Sequence, residues 1–210
     1  MLIKTMKIWV FSLAFGLATT MSAVANDADI LAGFVSELKT YEARFEQSQC
    51  DPRGIQVQFS TGFMALSRPG KFRWVYETPY EQQLISDGES LWVYDPDLDQ
   101  ATRKVLTGSI DTSPIMILMD EKPLTEVYDI RLVGEDDGMR WFSLMAHDGR
   151  SDFNQILIGM DEQGFASMQL IDAFDNVTRV SFMDRKINRP LDMDQFDFTP
   201  PEGVDVVETR

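Results

Sequence analysis

The chain has a single cysteine, Cys50, and a single histidine, His147. One thiol rules out a disulfide within the chain, so the fold must hold by its apolar core even in an oxidising compartment. Cys50 and His147 are also the one pairing that could serve as thiol nucleophile and imidazole base, and nothing around either residue supports it. His147 sits by a turn without ligand neighbours at metal-binding spacing. Positive charge is scarce: 19 Lys and Arg stand against 34 Asp and Glu, a net charge of −15. Nucleic acid and anionic lipid surfaces repel such a chain, and any electrostatic steering is toward a basic patch on a partner. There is no phosphate-cradling glycine loop and no nucleophile elbow. The carboxylates gather in turns, where solvation explains them. Asp95, Asp97 and Asp99 alternate as in a calcium loop, but the central Gly and the distal bidentate Glu are missing. No catalytic residue, metal site or cofactor site is visible.

Long apolar runs are also lacking after the first 25 residues. Within those, Lys4 and Lys7 form a positive region, Ile8 to Ala18 an apolar one, and Ala23-Val24-Ala25 a small-x-small cleavage site. That is the pattern of a secretory signal peptide, too short for a comfortable membrane span. The expected organisation is a cleaved leader, 1–25, and one exported soluble domain, 26–210, with no cysteine placed for lipidation at its start.

What is present is periodicity. Ile30, Phe34 and Leu38 recur at four-residue intervals, with Leu31, Val35, Tyr41 and Phe45 in the same stripe, which predicts an amphipathic helix from Asp27 to about Gln47. From Ile55 the period falls to two. Ile55, Val57, Phe59, Thr61, Phe63 and Ala65 share one predicted strand face, and Gln56, Gln58 and Ser60 the other. Further strands are predicted at 72–76, 82–86, 90–94, 100–106, 129–133, 140–146, 153–160, 166–172, 177–183 and 195–199, then a mobile tail. This makes an antiparallel sheet of about eleven strands. Thr112-Ser113-Pro114 interrupts it as a helix start, followed by the apolar run Ile115, Met116, Ile117, Leu118 and Met119. A short helix apolar all round must be covered on more than one side. A second short helix could span Leu124 to Tyr128.

Residues 63 to 94 carry an unusual density of large apolar side chains: Phe63, Phe72, Trp74, Tyr76, Leu84, Leu91, Trp92 and Tyr94. An ordinary core and a cavity for an apolar ligand both account for them. Met64, Met116, Met119 and Met168 would suit adaptable packing around such a ligand.

Within that stretch the order Arg68-Pro69, Phe72, Trp74, then Ser86-Asp87-Gly88, Leu91-Trp92, Tyr94 and Pro96 resembles the periplasmic outer-membrane lipoprotein carriers, the LolA family. The ending Phe196-Asp197-Phe198-Thr199-Pro200-Pro201 extends the likeness to nearly the whole mature chain. The resemblance implies an unclosed antiparallel β-barrel with short helices as a lid over an apolar cavity. It implies a monomeric periplasmic chaperone that takes acylated lipoproteins from an inner-membrane ABC transporter to an outer-membrane receptor. A lipid-binding receptor or stress-sensor module of the same fold is the alternative. On this reading Phe45, Phe63, Met64, Trp74, Leu84 and Leu91 line the cavity, and residues 115–119 form the lid. Arg68 latches that lid through backbone carbonyls near Leu118 and Met119, and Phe72 contacts the transporter.

Overall fold

The computed structural model describes residues 27–106, 116–119, 122–147, 149 and 153–209. The leader, Thr112-Ser113-Pro114 and Ile115 lie outside them. A helix α1 (Asp27–Glu37) precedes β1 (Thr40–Cys50), β2 (Gln56–Ser67), β3 (Lys71–Thr78), β4 (Gln82–Asp87), β5 (Ser90–Asp95) and β6 (Gln100–Val105). Two short helices, α2 (Met116–Met119) and α3 (Leu124–Val127), come next. Then follow β7 (Tyr128–Asp136), β8 (Met139–Ala146), β9 (Phe153–Asp161), β10 (Gly164–Asp172), β11 (Val177–Ile187) and β12 (Asp205–Thr209).

All twelve strands join one sheet, ordered β12-β6-β5-β4-β3-β2-β1-β11-β10-β9-β8-β7. Neighbours are antiparallel except β12, which runs parallel to β6. The end strands β12 and β7 are not paired with each other, so the barrel is unclosed. The sheet nevertheless curls on itself: Leu84 of β4 and Phe153 of β9, far apart in strand order, line one cavity. The connection carrying α2 and α3 runs from β6, beside one end of the sheet, to β7 at the other.

Three local expectations are corrected. The helix expected to reach Gln47 ends at Glu37, and Tyr41, Ala43, Phe45 and Gln47 are the buried side of a strand instead. Tyr41 and Phe45 fit both periods, and small Ala43 between them hides the two-residue one. On β2 the inward face is Ser60, Gly62, Met64 and Leu66, while Val57 and Phe59 are 64% and 45% exposed. The run Phe63-Met64-Ala65-Leu66 is apolar on both sides, so alternation alone could not choose between them. At the C-terminus, Met193–Phe196 forms a 3-10 turn where a strand was expected, and the expected tail supplies β12.

Gly62 is where β2 needs glycine. A Cβ there would run into the Val75 carbonyl oxygen and come 2.8 Å from the Phe45 ring. The register between β2 and β3 shifts at this point, which bends the strand.

The concave face and part of the convex face are covered, by different means. The buried residues Ala28, Leu31 and Val35 of α1, and Leu38 just after it, follow helical spacing. They join Ile117, Leu118 and Met119 of α2 and Leu124 of α3 in the core on the concave side. On the convex side the chain before β12 lies across β3 to β5. Phe196 is fully buried there, and Phe198 packs on Trp92 and Tyr94 at 5.4 and 5.3 Å between ring centroids.

Candidate functional site: the concave face and its closure

Strand pairing fixes which side chains share the inner surface. Met64 pairs with Trp74, and Trp74 with Leu84, so all three point inward together. Phe45 pairs with Phe182 across β1 and β11. Phe45 and Trp74 lie 4.3 Å apart between centroids, with Tyr76 edge-on to Phe45 at 5.4 Å. Phe165 and Phe182 pack at 4.8 Å, and Tyr41 meets both rings. The Tyr41 hydroxyl donates to the Phe165 carbonyl at 2.9 Å, and burial pushes this phenol well above its ordinary range.

A cavity of about 260 Å³ opens beside this cluster. Trp74, Leu84, Phe153, Met168, Leu170 and Val180 form its apolar wall, and Gln47, Gln49, Tyr76 and Thr178 its polar part. It is smaller than the roughly 300–1,000 Å³ pockets that enclose drug-sized ligands. Two acyl chains exceed this cavity taken by itself.

The closure rests on α1. The last carbonyls of a helix lack partners within it, and α1 has no basic residue in its last turn. Arg68, in the β2–β3 turn, donates its guanidinium to the Val35 carbonyl there, where the helix dipole also favours a cation. Asn188 completes the clasp: its side-chain oxygen accepts from the Lys39 N–H at 2.7 Å, and its amide donates to the Glu37 carbonyl at 3.1 Å. The Val35 bond joins Arg68 to α1, and it neither tests nor replaces the contact near Leu118 and Met119 that the resemblance implies.

Phe45, Met64 and Trp74 are buried in the core, with Leu84 and Leu91 half-buried against it. Ile117, Leu118 and Met119 are buried in α2, which begins at Met116. Two placements differ from the expectation. Phe63 pairs with Val75 and Arg44, one step out of phase with Met64, so it faces the convex side, away from the cavity lined by Trp74 and Leu84. Phe72 is 1% exposed, within the core, so the closed molecule does not offer it to a partner. Sequence reasoning missed Gln47, Gln49 and Thr178. The alternation starting at Tyr41 points to the two glutamines, but the expected helix ends at about Gln47 and leaves Gln49 outside any element.

His147 is exposed, and its Nδ1 donates to the Glu126 carbonyl at 3.1 Å. Among the described residues, no three His, Cys, Asp or Glu side chains are placed to hold a metal ion. Nor is any described helix long and apolar enough to cross a membrane.

The family model described as outer membrane lipoprotein carrier protein LolA matches residues 36–199, most of the chain. The chain belongs to the LolA family. Its relatives include outer-membrane lipoprotein carrier proteins of Methylococcus capsulatus, 38% identical over 86% of this chain and 86% of that one, and of Cupriavidus taiwanensis, 38% identical over 90% and 92%. The Bordetella pertussis protein of that name is 35% identical over 95% and 94%. In fold the chain is similar to a solved structure of an uncharacterized conserved protein from Thermus thermophilus, at TM-score 0.55 and 12% identity, covering 86% of this chain and 96% of that one.

Proposed function

We propose that this LolA-family chain is a soluble, monomeric periplasmic carrier. It takes acylated lipoproteins from an inner-membrane ABC transporter, shields their acyl chains against its concave face, and delivers them to an outer-membrane receptor. The observation that carries this reading is the concave face itself. It is apolar from β7 to β5, it is covered by short helices rather than a second sheet, and its residual cavity is small.

Each buried methylene is worth roughly 0.8 kcal/mol. A diacyl anchor therefore exposes tens of kcal/mol of hydrocarbon if released unshielded into water. A carrier must cover that surface and also give it up. Here the empty state satisfies its own apolar face with Leu31, Val35 and α2, so cargo competes with the protein's own helices. Residues 115–119 act as the lid together with α1, and Arg68 as the latch favouring the closed, unloaded state. Phe45, Met64, Trp74, Leu84 and Leu91 form the acyl-chain surface. Phe72 becomes a partner contact only when the closure lifts. None of these steps needs catalysis or a cofactor.

Arg68→Leu tests the latch. With the closed state weakened, loaded carrier should accumulate and transfer to an acceptor should slow by about tenfold, the size of one hydrogen bond to a charged group. Transfer at the wild-type rate would falsify the latch.

A further inference from the structure

One polar atom in the cavity wall lacks a partner. Trp74 is 7% exposed, and its Nε1 is a buried donor without a hydrogen bond among the described residues. Burial holds the nearby Tyr76 phenol above its ordinary range, with Gln47 and the Trp74 indole opposing that shift, but the indole N–H makes no hydrogen bond of proper geometry with it. The Tyr76 hydroxyl is itself engaged, donating to Gln47 Oε1 at 3.2 Å. That bond leaves the Gln47 amide NH₂ as a donor on the same wall, and Gln47 is 8% exposed.

The apolar cavity does not end blindly there. Gln47, Gln49 and Tyr76 are shared with a second, open hollow that adds Gln58, Ser60 and Gln82. The carboxylates of Glu81, Asp95 and Asp97 stand around that hollow. Along one path the surface thus passes from hydrocarbon to buried N–H donors, then amides, then acceptors.

A buried donor left unpaired costs free energy comparable to the desolvation of the group. It is tolerable where a ligand supplies the acceptor. The ligand must carry an acceptor at the head of an alkyl chain, because the donors sit where the apolar wall stops. We infer that Trp74 Nε1 and the Gln47 amide form a subsite for the acyl carbonyl oxygens of a glyceryl-linked lipid anchor. The chains run along the apolar wall, and the attached peptide runs out over Gln58 and Gln82, where its N–H groups meet the carboxylates. This site deepens the carrier reading above and rests on it. It would register the carbonyl at the head of a lipid anchor, whatever protein follows.

The test compares three probes on the full mature protein: a dipalmitoylglyceryl-cysteinyl peptide, its dialkyl ether analogue without acyl carbonyls, and the apolar fluorophore N-phenylnaphthylamine. Wild type should bind the diester about tenfold tighter than the diether, the effect of one or two hydrogen bonds. Trp74→Phe, which keeps an aromatic ring, should abolish that preference, with any change in fluorophore affinity smaller than the change in diester affinity, and Gln47→Met should reduce it. Equal affinity of wild type for ester and ether overturns the subsite. So does a preference that survives in both variants, or a loss that falls equally on the fluorophore. If wild type binds neither lipopeptide nor fluorophore, the carrier reading fails as well, and the fluorophore distinguishes the two failures.

Discussion

The concave face and the apolar patch on the convex side of β3 to β5 are closed in opposite ways. The convex face is covered by chain that continues into a strand: Phe196 is buried over β3 and β4, Phe198 packs on Trp92 and Tyr94, and β12 then pairs with β6. Arg103 adds a cation 5.5 Å from the Trp92 ring centroid. The concave face is covered by α1 and by two four-residue helices, held in part by Arg68 and Asn188 at the end of α1. The outer cover is anchored by the fully buried Phe196 and opens only when that burial is lost, whereas a helix held by side-chain clasps can lift as a unit. Permanent cover therefore belongs to the outer face and removable cover to the inner one.

Phe45→Ala should separate the faces most strongly. Phe45 is 1% exposed against Trp74, Tyr76 and the space over Gly62. Its loss should cost about 3–5 kcal/mol by denaturant titration and also change apolar-probe binding. The convex counterpart, Phe196→Ala, should cost about 3 kcal/mol, the low end of that range, with probe affinity unchanged. If Phe196→Ala alters the probe as much as Phe45→Ala, the faces are not independent. Gly62→Ala should cost about 1–3 kcal/mol by forcing the Phe45 ring and the Val75 strand apart.

A smaller effect lies in acid. Burial alone would raise the Asp161 pKa, but the Arg185 guanidinium and the Gln163 and Gly164 N–H groups outweigh it and hold the carboxyl below its usual range. A depressed folded pKa contributes stability that is present above the unfolded value and lost as pH falls through the folded one. Asp161→Asn should therefore lower stability at neutral pH and flatten the acid limb of the pH–stability curve. An unchanged acid limb would count against the pair. Smallest of all is Phe59→Ser on the outer face, where 45% exposure keeps the change within about 0.5 kcal/mol.

Much of the fold was legible in residue patterns. Strands β4 to β11 fell within a few residues of their expected bounds because polar turns such as Asp87-Gly88 and Asp137-Gly138 separate them. The failures share a cause. Tyr41 and Phe45 satisfy helix and strand periods alike, and β2 is apolar on both sides near Phe63 and Met64. In each, local pattern left two solutions and tertiary pairing chose one. Phe63 went to the wrong face for that reason. The polar part of the cavity stayed hidden because glutamines on an inward strand face look like surface residues until the sheet curls. Family likeness pointed to Arg68, but only the fold showed that it reaches the Val35 carbonyl in the last turn of α1.

The central claim is that the concave face is closed by the protein's own helices and opens for cargo. Apparent affinity rises with the fraction of molecules already open. Titrating N-phenylnaphthylamine into wild type and Arg68→Leu measures that fraction directly. The account predicts saturable binding in both, about tenfold tighter in Arg68→Leu, with cargo lipopeptide competing the probe off. Equal affinity in the two proteins, or probe that lipopeptide cannot displace, would contradict it.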